Sequence, residues 1–182
     1  MRVALCGASG TGKSTLAAYI TETWRLTLNP IGSRSVSKAM GFDSPYDVDK
    51  AGQRALFQRM LVNQKCEWEK LNEEFVTERT TLDNLAYTIM HDVKAIDEEL
   101  LSQVIEGMKR YTHVIWLPVE AFCKLGEDPS RVHDMTYQRM YDVVLEGLLD
   151  RYCRTRLLAL RASDKIFRQG AVSRFFLSNV GT

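Results

Sequence analysis

Five short segments of the chain have the apolar pattern expected of sheet strands. Residues 2–6 are mostly apolar with little alternation, which is typical of a buried strand in a parallel sheet. Similar patterns predict strands at residues 26–30, 74–78 and 165–169. The run HVIWL at residues 113–117 is the clearest strand after the first, and it stops at a proline, which a central strand does not tolerate.

Segments with helical spacing of apolar residues separate these strands. They predict helices at residues 14–24, 47–71, 85–90, 98–110 and 137–160, a loop or short helix over 32–45, and a short helix after residue 170. Strands that alternate with helices predict an α/β fold in three layers, with a five-stranded parallel sheet covered by helices on both faces. We expect residues 1–182 to form a single domain, because no linker, repeat or low-complexity tract divides them.

The composition is that of an ordinary globular domain. The 182 residues are 45% hydrophobic and 26% charged, and the net charge is +1. No apolar run approaches the length needed to span a bilayer, and the apolar start is too short for a secretion signal. The four cysteines are scattered and form no CxxC pair, so we expect neither a disulfide framework nor a zinc site. These features predict a cytoplasmic protein with no membrane partner.

The most specific chemistry lies directly after the first predicted strand. The segment GASGTGKS fits the pattern G-x-x-x-x-G-K-[ST] and opens a predicted helix, as phosphate binding requires. Its glycines let successive backbone N–H groups point at phosphate oxygens, and the helix N-terminus adds its positive end. We expect Lys13 to reach the β- and γ-phosphates of ATP and the hydroxyl of Ser14 to ligate Mg²⁺. The predicted ATP ligands here are Gly7, Ala8, Ser9, Gly10, Thr11, Gly12, Lys13, Ser14 and Thr15.

A second group of charges follows the third predicted strand. Glu78 and Arg79 stand at its carboxyl end, which faces the ligand crevice in a parallel sheet. A carboxylate there can take a proton from an attacking hydroxyl or hold the metal, and an arginine can bind an anionic group. The chemistry alone leaves a surface ion pair equally open. Arg131 could close over a transferring phosphoryl group and Arg34 could bind an acceptor phosphate, but each is also compatible with a solvated side chain.

Taken together, these segments resemble the small P-loop kinases of the nucleoside and nucleotide kinase group. Thymidylate kinases and nicotinamide riboside kinase domains, with their phage and bacterial relatives, are the most similar. Four segments carry the likeness: GASGTGKST at 7–15, FVTERTTLDNLAY at 75–87, GEDPSRVHD at 126–134 and FRQGAVSRF at 167–175.

The resemblance implies a role for each candidate residue. Arg131 would belong to a small lid over residues 120–135, and Gly170 and Ala171 would cup adenine in a turn after the last strand. Implied catalytic residues are Lys13, Glu78, Arg79 and Arg131, implied substrate ligands are Arg34, Arg79 and Asp83, and implied metal ligands are Ser14 and Glu78. The chain departs from the family pattern after the second strand, where an acidic residue is common and this sequence has PIGS at 30–33.

The resulting hypothesis is an ATP- and Mg²⁺-dependent kinase that transfers the γ-phosphate to a nucleotide, as nucleoside monophosphate kinases do. One alternative is the phage branch that phosphorylates 5-hydroxymethyluracil within DNA, which would act in the host cytoplasm. The basic end of the chain fits it, with nine Lys and Arg against five Asp and Glu from residue 131 onward. The second alternative is a nucleotide-dependent regulatory ATPase. A homodimer is compatible with each of them.

Overall fold

The computed structural model describes residues 1–119 and 134–178, so most of the expected lid, with Arg131, lies outside the described residues. Five strands form one sheet, and they are β1 (Arg2–Cys6), β2 (Thr27–Leu28), β3 (Phe75–Glu78), β4 (His113–Trp116) and β5 (Leu157–Ala159). Their order is β2-β3-β1-β4-β5, and every neighbouring pair is parallel. The predicted α/β fold with a five-stranded parallel sheet is confirmed.

Eight helices connect and cover the strands in the described residues. They are α1 (Lys13–Trp24), α2 (Ser33–Ala39), α3 (Pro45–Lys50), α4 (Arg54–Leu71), α5 (Thr81–Asp92), α6 (Glu98–Met108), α7 (Met135–Cys153) and α8 (Lys165–Ser178). Among these residues no helix combines the length and the apolarity that a membrane crossing requires.

Strand β1 lies at the centre, and its alternate side chains build the two halves of the core. Ala4 and Cys6 pack with apolar residues of α4, α5, α6 and α7 on one face of the sheet. Val3 and Leu5 pack with residues of α1 and α8 on the other face. Helices therefore cover both faces, and the strands are buried as the apolar runs predict.

The strand register brings the candidate chemistry to one edge of the sheet. Leu5 pairs with Glu78 of β3, and Cys6 pairs with Trp116 of β4. The glycine-rich segment leaves the sheet directly after Cys6, so it starts beside the end of β3. Parallel strands thus place two segments that are about 70 residues apart in sequence side by side at their carboxyl ends.

The prediction of the last strand is wrong. Residues 165–169 belong to helix α8. The fifth strand is Leu157–Ala159, which lies within the segment 137–160 that was predicted to be one helix. Leucine, alanine and arginine around this strand are good helix formers, and a three-residue strand is too short to show a period of its own. Pairing of Leu158 with Ile115 of β4 decides its conformation instead.

A second correction concerns the long helix predicted over residues 47–71. The chain forms two helices there, α3 and α4, separated by Gly52 with φ of 67°. The break lets α2, α3 and α4 enclose a small apolar cluster of their own, made of Val36, Val48, Phe57 and Leu61. This cluster holds α3 and the start of α4 over the carboxyl edge of the sheet.

Candidate active site

The glycine-rich segment between β1 and α1 forms a tight loop of left-handed glycines. Gly7, Gly10 and Gly12 have φ of 132°, 80° and 92°, values that favour glycine. A Cβ on Gly7 would lie only 2.4 Å from the carbonyl oxygen of Leu117 at the end of β4. Backbone conformation and close packing therefore both require glycine at position 7. The loop leads directly into the N-terminus of α1, which favours anion binding.

Lys13, the first residue of α1, turns its side chain back into this loop. Its ammonium group donates hydrogen bonds to the carbonyl oxygen of Ala8 and, at 3.4 Å, to Oγ1 of Thr11. Burial, together with the nearby charge of Arg79, lowers the pKa of Lys13 from 10.5 to about 7. A phosphate bound in the loop would supply the anionic partner that stabilises the charged form.

Ser14 and Glu78 bring two oxygen groups together at the mouth of the loop. The Ser14 hydroxyl in the first turn of α1 donates a hydrogen bond of 2.8 Å to Oε2 of Glu78 at the end of β3. A hydroxyl beside a carboxylate suits Mg²⁺, which prefers oxygen ligands and is usually held by few protein groups together with phosphates. Among residues 1–119 and 134–178 no group of three or more His, Cys, Asp and Glu forms a metal cage. The donor set therefore fits a magnesium ion that a nucleotide brings with it.

Arg79 ties the end of β3 to the underside of the glycine-rich loop. It adopts a left-handed conformation with φ of 71°, an uncommon one for a residue with a side chain. The guanidinium group donates to the Gly7 carbonyl at 3.2 Å and to the Ser9 hydroxyl at 3.4 Å, and lies over the ring of Tyr87 with 4.8 Å to its centroid. These contacts fix the guanidinium group below the phosphate loop.

Asp83 is fully buried and joins the same network from the first turn of α5. Its Oδ2 accepts hydrogen bonds from the backbone N–H of Thr80 at 2.7 Å and from its hydroxyl at 2.8 Å, closing a capping box at the helix start. Its Oδ1 accepts from the Tyr141 hydroxyl at 2.6 Å and from the Gly7 N–H at 3.2 Å. The carboxylate is thus occupied by groups that shape the phosphate loop.

A cavity of about 800 Å³ opens beside the loop. Its floor is the phosphate loop with Glu78 and Arg79, and its opposite wall comes from residues 28–35 and from helices α3, α4, α5 and α7. Ser14 and Glu78 lie between the two sides. The arrangement can hold a phosphate chain at the loop and a second molecule against the far wall.

Comparison with known proteins relates this geometry to a family. A family model described as an AAA domain matches residues 2–163. The chain belongs to this AAA-domain family. No curated protein sequence matches it significantly.

Solved structures with the same fold as this AAA domain include several kinases. Deoxyadenosine kinase from M. mycoides, solved with dCMP and dCDP, aligns with a TM-score of 0.66 at 15% identity over 99% of this chain and 100% of its own. Shikimate kinase from Aquifex aeolicus aligns with a TM-score of 0.63 at 16% identity over 100% of both chains. The NadR protein in complex with NR gives 0.72 at 12% identity, over 100% of this chain and 51% of that one. The AAA domain therefore has the small P-loop kinase fold that the sequence resemblance implied.

Most of the residues that the sequence nominated gather around the cavity of the AAA domain. The lining includes Ser9, Gly10, Gly12, Lys13, Ser14, Thr15, Arg34, Glu78 and Arg79. Gly7, Ala8 and Thr11 are also in the loop, where Ala8 and Thr11 are buried. Asp83, nominated as a substrate ligand, is 0% exposed and bonded within the protein, and it does not line the cavity.

Gly170 and Ala171 are not in a turn after the last strand. They lie inside helix α8, and the turn that follows β5 is formed by residues 160–164. This displacement follows from the wrong assignment of the fifth strand. Arg168 of α8 connects this turn to the phosphate loop, because its guanidinium group donates to the carbonyl oxygens of Ala162 and Thr11, the latter at 2.9 Å.

Sequence analysis missed two polar groups in the far wall of the cavity. Gln58 and Asn84 are each 2% exposed, and Nδ2 of Asn84 donates a 3.0 Å hydrogen bond to Oε1 of Gln58. Oδ1 of Asn84 is buried without a hydrogen-bond partner in the described protein. Nothing in the sequence singles out either residue, since each lies on a helix among ordinary polar positions.

The sequence also showed no sign of a set of polar contacts at the end of the cavity. Arg54 pairs with Asp49 at 2.6 Å and contacts Nε2 of His91 at 3.2 Å, and the same nitrogen lies 2.6 Å from the Tyr137 hydroxyl. Burial and the charge of Arg54 lower the pKa of His91 to about 4, so the ring is neutral at neutral pH. These contacts hold α3, α4, α5 and α7 together around the cavity.

Proposed function

We propose that the protein is an ATP-dependent phosphotransferase that moves the γ-phosphate of ATP to a nucleotide acceptor. The observation that carries this proposal is the position of Glu78, which faces the cavity and contacts Ser14 at the mouth of the phosphate loop. A carboxylate placed between a triphosphate cradle and a second, roomy binding wall is what transfer to an acceptor requires. The shared fold with solved nucleoside and shikimate kinases supports the same class of reaction.

We assign the steps of the proposed transfer to individual residues. The loop amides and Lys13 hold the β- and γ-phosphates, and Ser14 with Glu78 would hold Mg²⁺. The metal would offset charge that develops on the transferred group. An oxygen of the acceptor phosphate, already ionised and in need of no base, forms a bond to the γ-phosphorus while the bond to the β–γ bridging oxygen breaks, so that ADP leaves. Glu78 would serve there as the metal ligand and not as a proton acceptor. Lys13, with Arg131 from outside the described residues, stabilises the charge of the moving phosphoryl group.

The far wall supports a nucleotide-like acceptor. Gln58 and Asn84 present amide groups within a wall that also contains the rings of Phe57 and Tyr87. A planar base would pack against the partly exposed ring of Tyr87, beside the amide groups of this wall. Arg34, across the cavity on α2, would bind a phosphate of the acceptor.

An acceptor screen tests the proposal. The protein is incubated with Mg²⁺ and γ-labelled ATP together with deoxynucleosides, deoxynucleoside monophosphates, or duplex DNA containing 5-hydroxymethyluracil. We expect label on a free nucleotide. Label that stays with the duplex would identify DNA as the acceptor, and the affinity of the protein for DNA should then fall steeply with salt. Slow release of phosphate with no labelled acceptor would select the regulatory ATPase and contradict transfer.

A single substitution tests the acceptor wall separately. Gln58→Leu removes a polar contact of the wall, so we expect the KM for the acceptor to rise about tenfold while the Kd for ATP stays within about twofold. Gln64→Leu is the matched control, because Gln64 is on the same helix and does not line the cavity. An unchanged acceptor KM in Gln58→Leu would place the acceptor elsewhere.

A further inference from the structure

A charged pair lies buried beneath the sheet, on the side of the acceptor wall. Lys65 and Glu69, one turn apart on α4, are each 2% exposed and lie 3.0 Å apart. The Lys65 ammonium also donates to the hydroxyl of Thr77 in β3. Neither residue lines the cavity. Removing two charges from water is costly, and a well-packed apolar pair often serves stability as well. Stability is therefore a weak explanation for this pair.

The pair makes contact with the cavity through one residue, Asn29. Nδ2 of Asn29 donates to Oε1 of Glu69 at 3.3 Å, and the Oδ1 on the same amide accepts from the backbone N–H of Ile31 at 2.8 Å. The backbone N–H of Asn29 donates to the carbonyl of Val76 in β3 at 2.9 Å. Asn29 is thus held by strand β3 on one side and by Glu69 on the other.

The segment that Asn29 anchors forms one wall of the cavity. Residues 28–35 all line it, including Arg34 on the first turn of α2. This segment is supported by hydrogen bonds of Asn29 and Ser35 and by Ile31, which packs against the apolar cluster of Val36, Val48, Phe57 and Leu61. Asn29 follows β2 directly, so its amide makes the first side-chain contacts of the segment.

The same pair also contacts strand β3, next to Glu78. Thr77, which accepts from Lys65, immediately precedes Glu78 in the strand. One buried pair thus contacts both the residue that starts the acceptor segment and the neighbour of the carboxylate. No hydrogen bond of Lys65 or Glu69 leads to the phosphate loop in the described part of the chain.

We propose that Lys65 and Glu69 are positioning residues for the acceptor side of the site, acting through Asn29 on residues 29–35. This rests on the proposed function only in so far as that wall binds the acceptor. The buried charges orient the Asn29 amide, the amide fixes the Ile31 N–H, and the segment presents Arg34 to the acceptor. The pair has no part in binding ATP.

The test uses a double variant that removes both charges and keeps the volume, Lys65→Met with Glu69→Leu. Amide exchange measured by NMR reports the segment without any need for activity. We expect protection of the Ile31 N–H to fall about tenfold, as for one lost hydrogen bond, while the Gly7 N–H, held by Asp83, keeps its protection. Unchanged protection at Ile31 would overturn the proposal whether or not the protein proves to be a kinase.

Kinetics with the acceptor found in the screen give the second readout. We expect the acceptor KM to rise about tenfold, with the ATP Kd within about twofold. Asn29→Ala should give the same rise, and combining it with the double variant should add nothing, because both act through one amide. An equal loss of ATP affinity would mean that the pair merely supports the whole sheet, and would overturn the proposal.

Tyr111→Phe is the matched control. The Tyr111 hydroxyl also donates to Oε1 of Glu69, at 3.2 Å, and no hydrogen bond joins it to Asn29 in the described chain. Its loss should leave Ile31 protection and acceptor KM unchanged. Should the double variant fail to fold, Asn29→Ala decides alone: normal Ile31 protection in that variant would overturn the proposal.

Discussion

The triphosphate side of the cavity is built from eight consecutive residues, whereas the opposite wall collects side chains from five helices. In the proposed function the loop at residues 7–14 binds phosphate with backbone N–H groups other than those of Gly7 and Ser9, which donate to Asp83 and Gln138. Its shape follows from glycines with positive φ. The far wall takes its groups from α2, α3, α4, α5 and α7 in the described chain. A site formed by the backbone of one loop can be recognised from a few consecutive residues. A site formed by side chains of several helices depends on how those helices pack.

The two sides also differ in how they are supported. The phosphate loop is held from below by the network of Arg79, Asp83 and Tyr141. The acceptor segment, residues 28–35, is held by the amide of Asn29, by hydrogen bonds of Ser35 and by the packing of Ile31. We therefore expect substitutions below the loop to affect the fold and ATP together, and substitutions behind the far wall to affect the acceptor alone.

Lys13→Met should have the largest effect. Loss of the ammonium group removes a charge that stabilises the transferring phosphoryl group, so kcat should fall by about 10³-fold or more. The free protein should not lose stability, since the charge is buried and its pKa is already lowered to about 7. Labelled-ATP turnover and thermal melting measure the two quantities. Retention of a tenth of the activity would contradict the role given to Lys13.

Asp83→Asn should break the support of the phosphate loop. The amide cannot accept from Gly7, Thr80 and Tyr141 as the carboxylate does, and Arg79 loses a buried partner, so we expect the free energy of unfolding to fall by about 3 kcal/mol.

Tyr141→Phe removes the hydrogen bond to Asp83 and the one that its hydroxyl accepts from Arg79, and should cost about 1–2 kcal/mol. Chemical denaturation measures both variants. Equal losses in the two would show that the carboxylate is not the centre of the network.

The pH dependence of ATP binding should separate the two sides. Lys13 has a lowered pKa of about 7 in the free protein, and a bound triphosphate raises it, so binding takes up a proton above that pH. The Kd for ATP should be flat just below pH 7 and then rise about tenfold per unit as pH increases to 9.

Calorimetry across this range is the measurement. Lys13→Arg, which stays charged, should bind with a flat profile above pH 7. A wild-type profile without a slope there would mean that Lys13 is fully protonated before ATP binds.

Arg168→Met should have the smallest effect. It removes the link between the turn at residues 160–164 and the Thr11 carbonyl, so the Kd for ATP should rise about threefold to tenfold with the acceptor KM unchanged. Arg174→Met, on the same helix, is the control and should bind ATP normally. A rise in acceptor KM instead would show that the two sides are coupled through α8.

The local patterns of the chain were enough for the fold and for the phosphate loop. Strands β1 and β4 are apolar runs beside clear breaks, and β3 is a short run of β-forming residues that ends in charge. The conformation of the loop residues depends on neighbours only a few positions away. The last strand was misplaced, because three residues carry no period and their conformation depends on pairing with β4. That error also placed the expected adenine turn at Gly170 and Ala171, which lie inside helix α8.

What the sequence alone determined is a parallel α/β sheet with a phosphate loop at its carboxyl edge, since periodicity and glycine conformations are local properties. Only the tertiary structure decided that Asp83 is a buried support, that Gln58 and Asn84 meet in the far wall, and that Lys65 and Glu69 contact Asn29. These contacts join residues far apart in sequence, and their geometry follows from how α4 and α5 pack against the sheet. No short sequence pattern indicates which of these distant residues will be in contact.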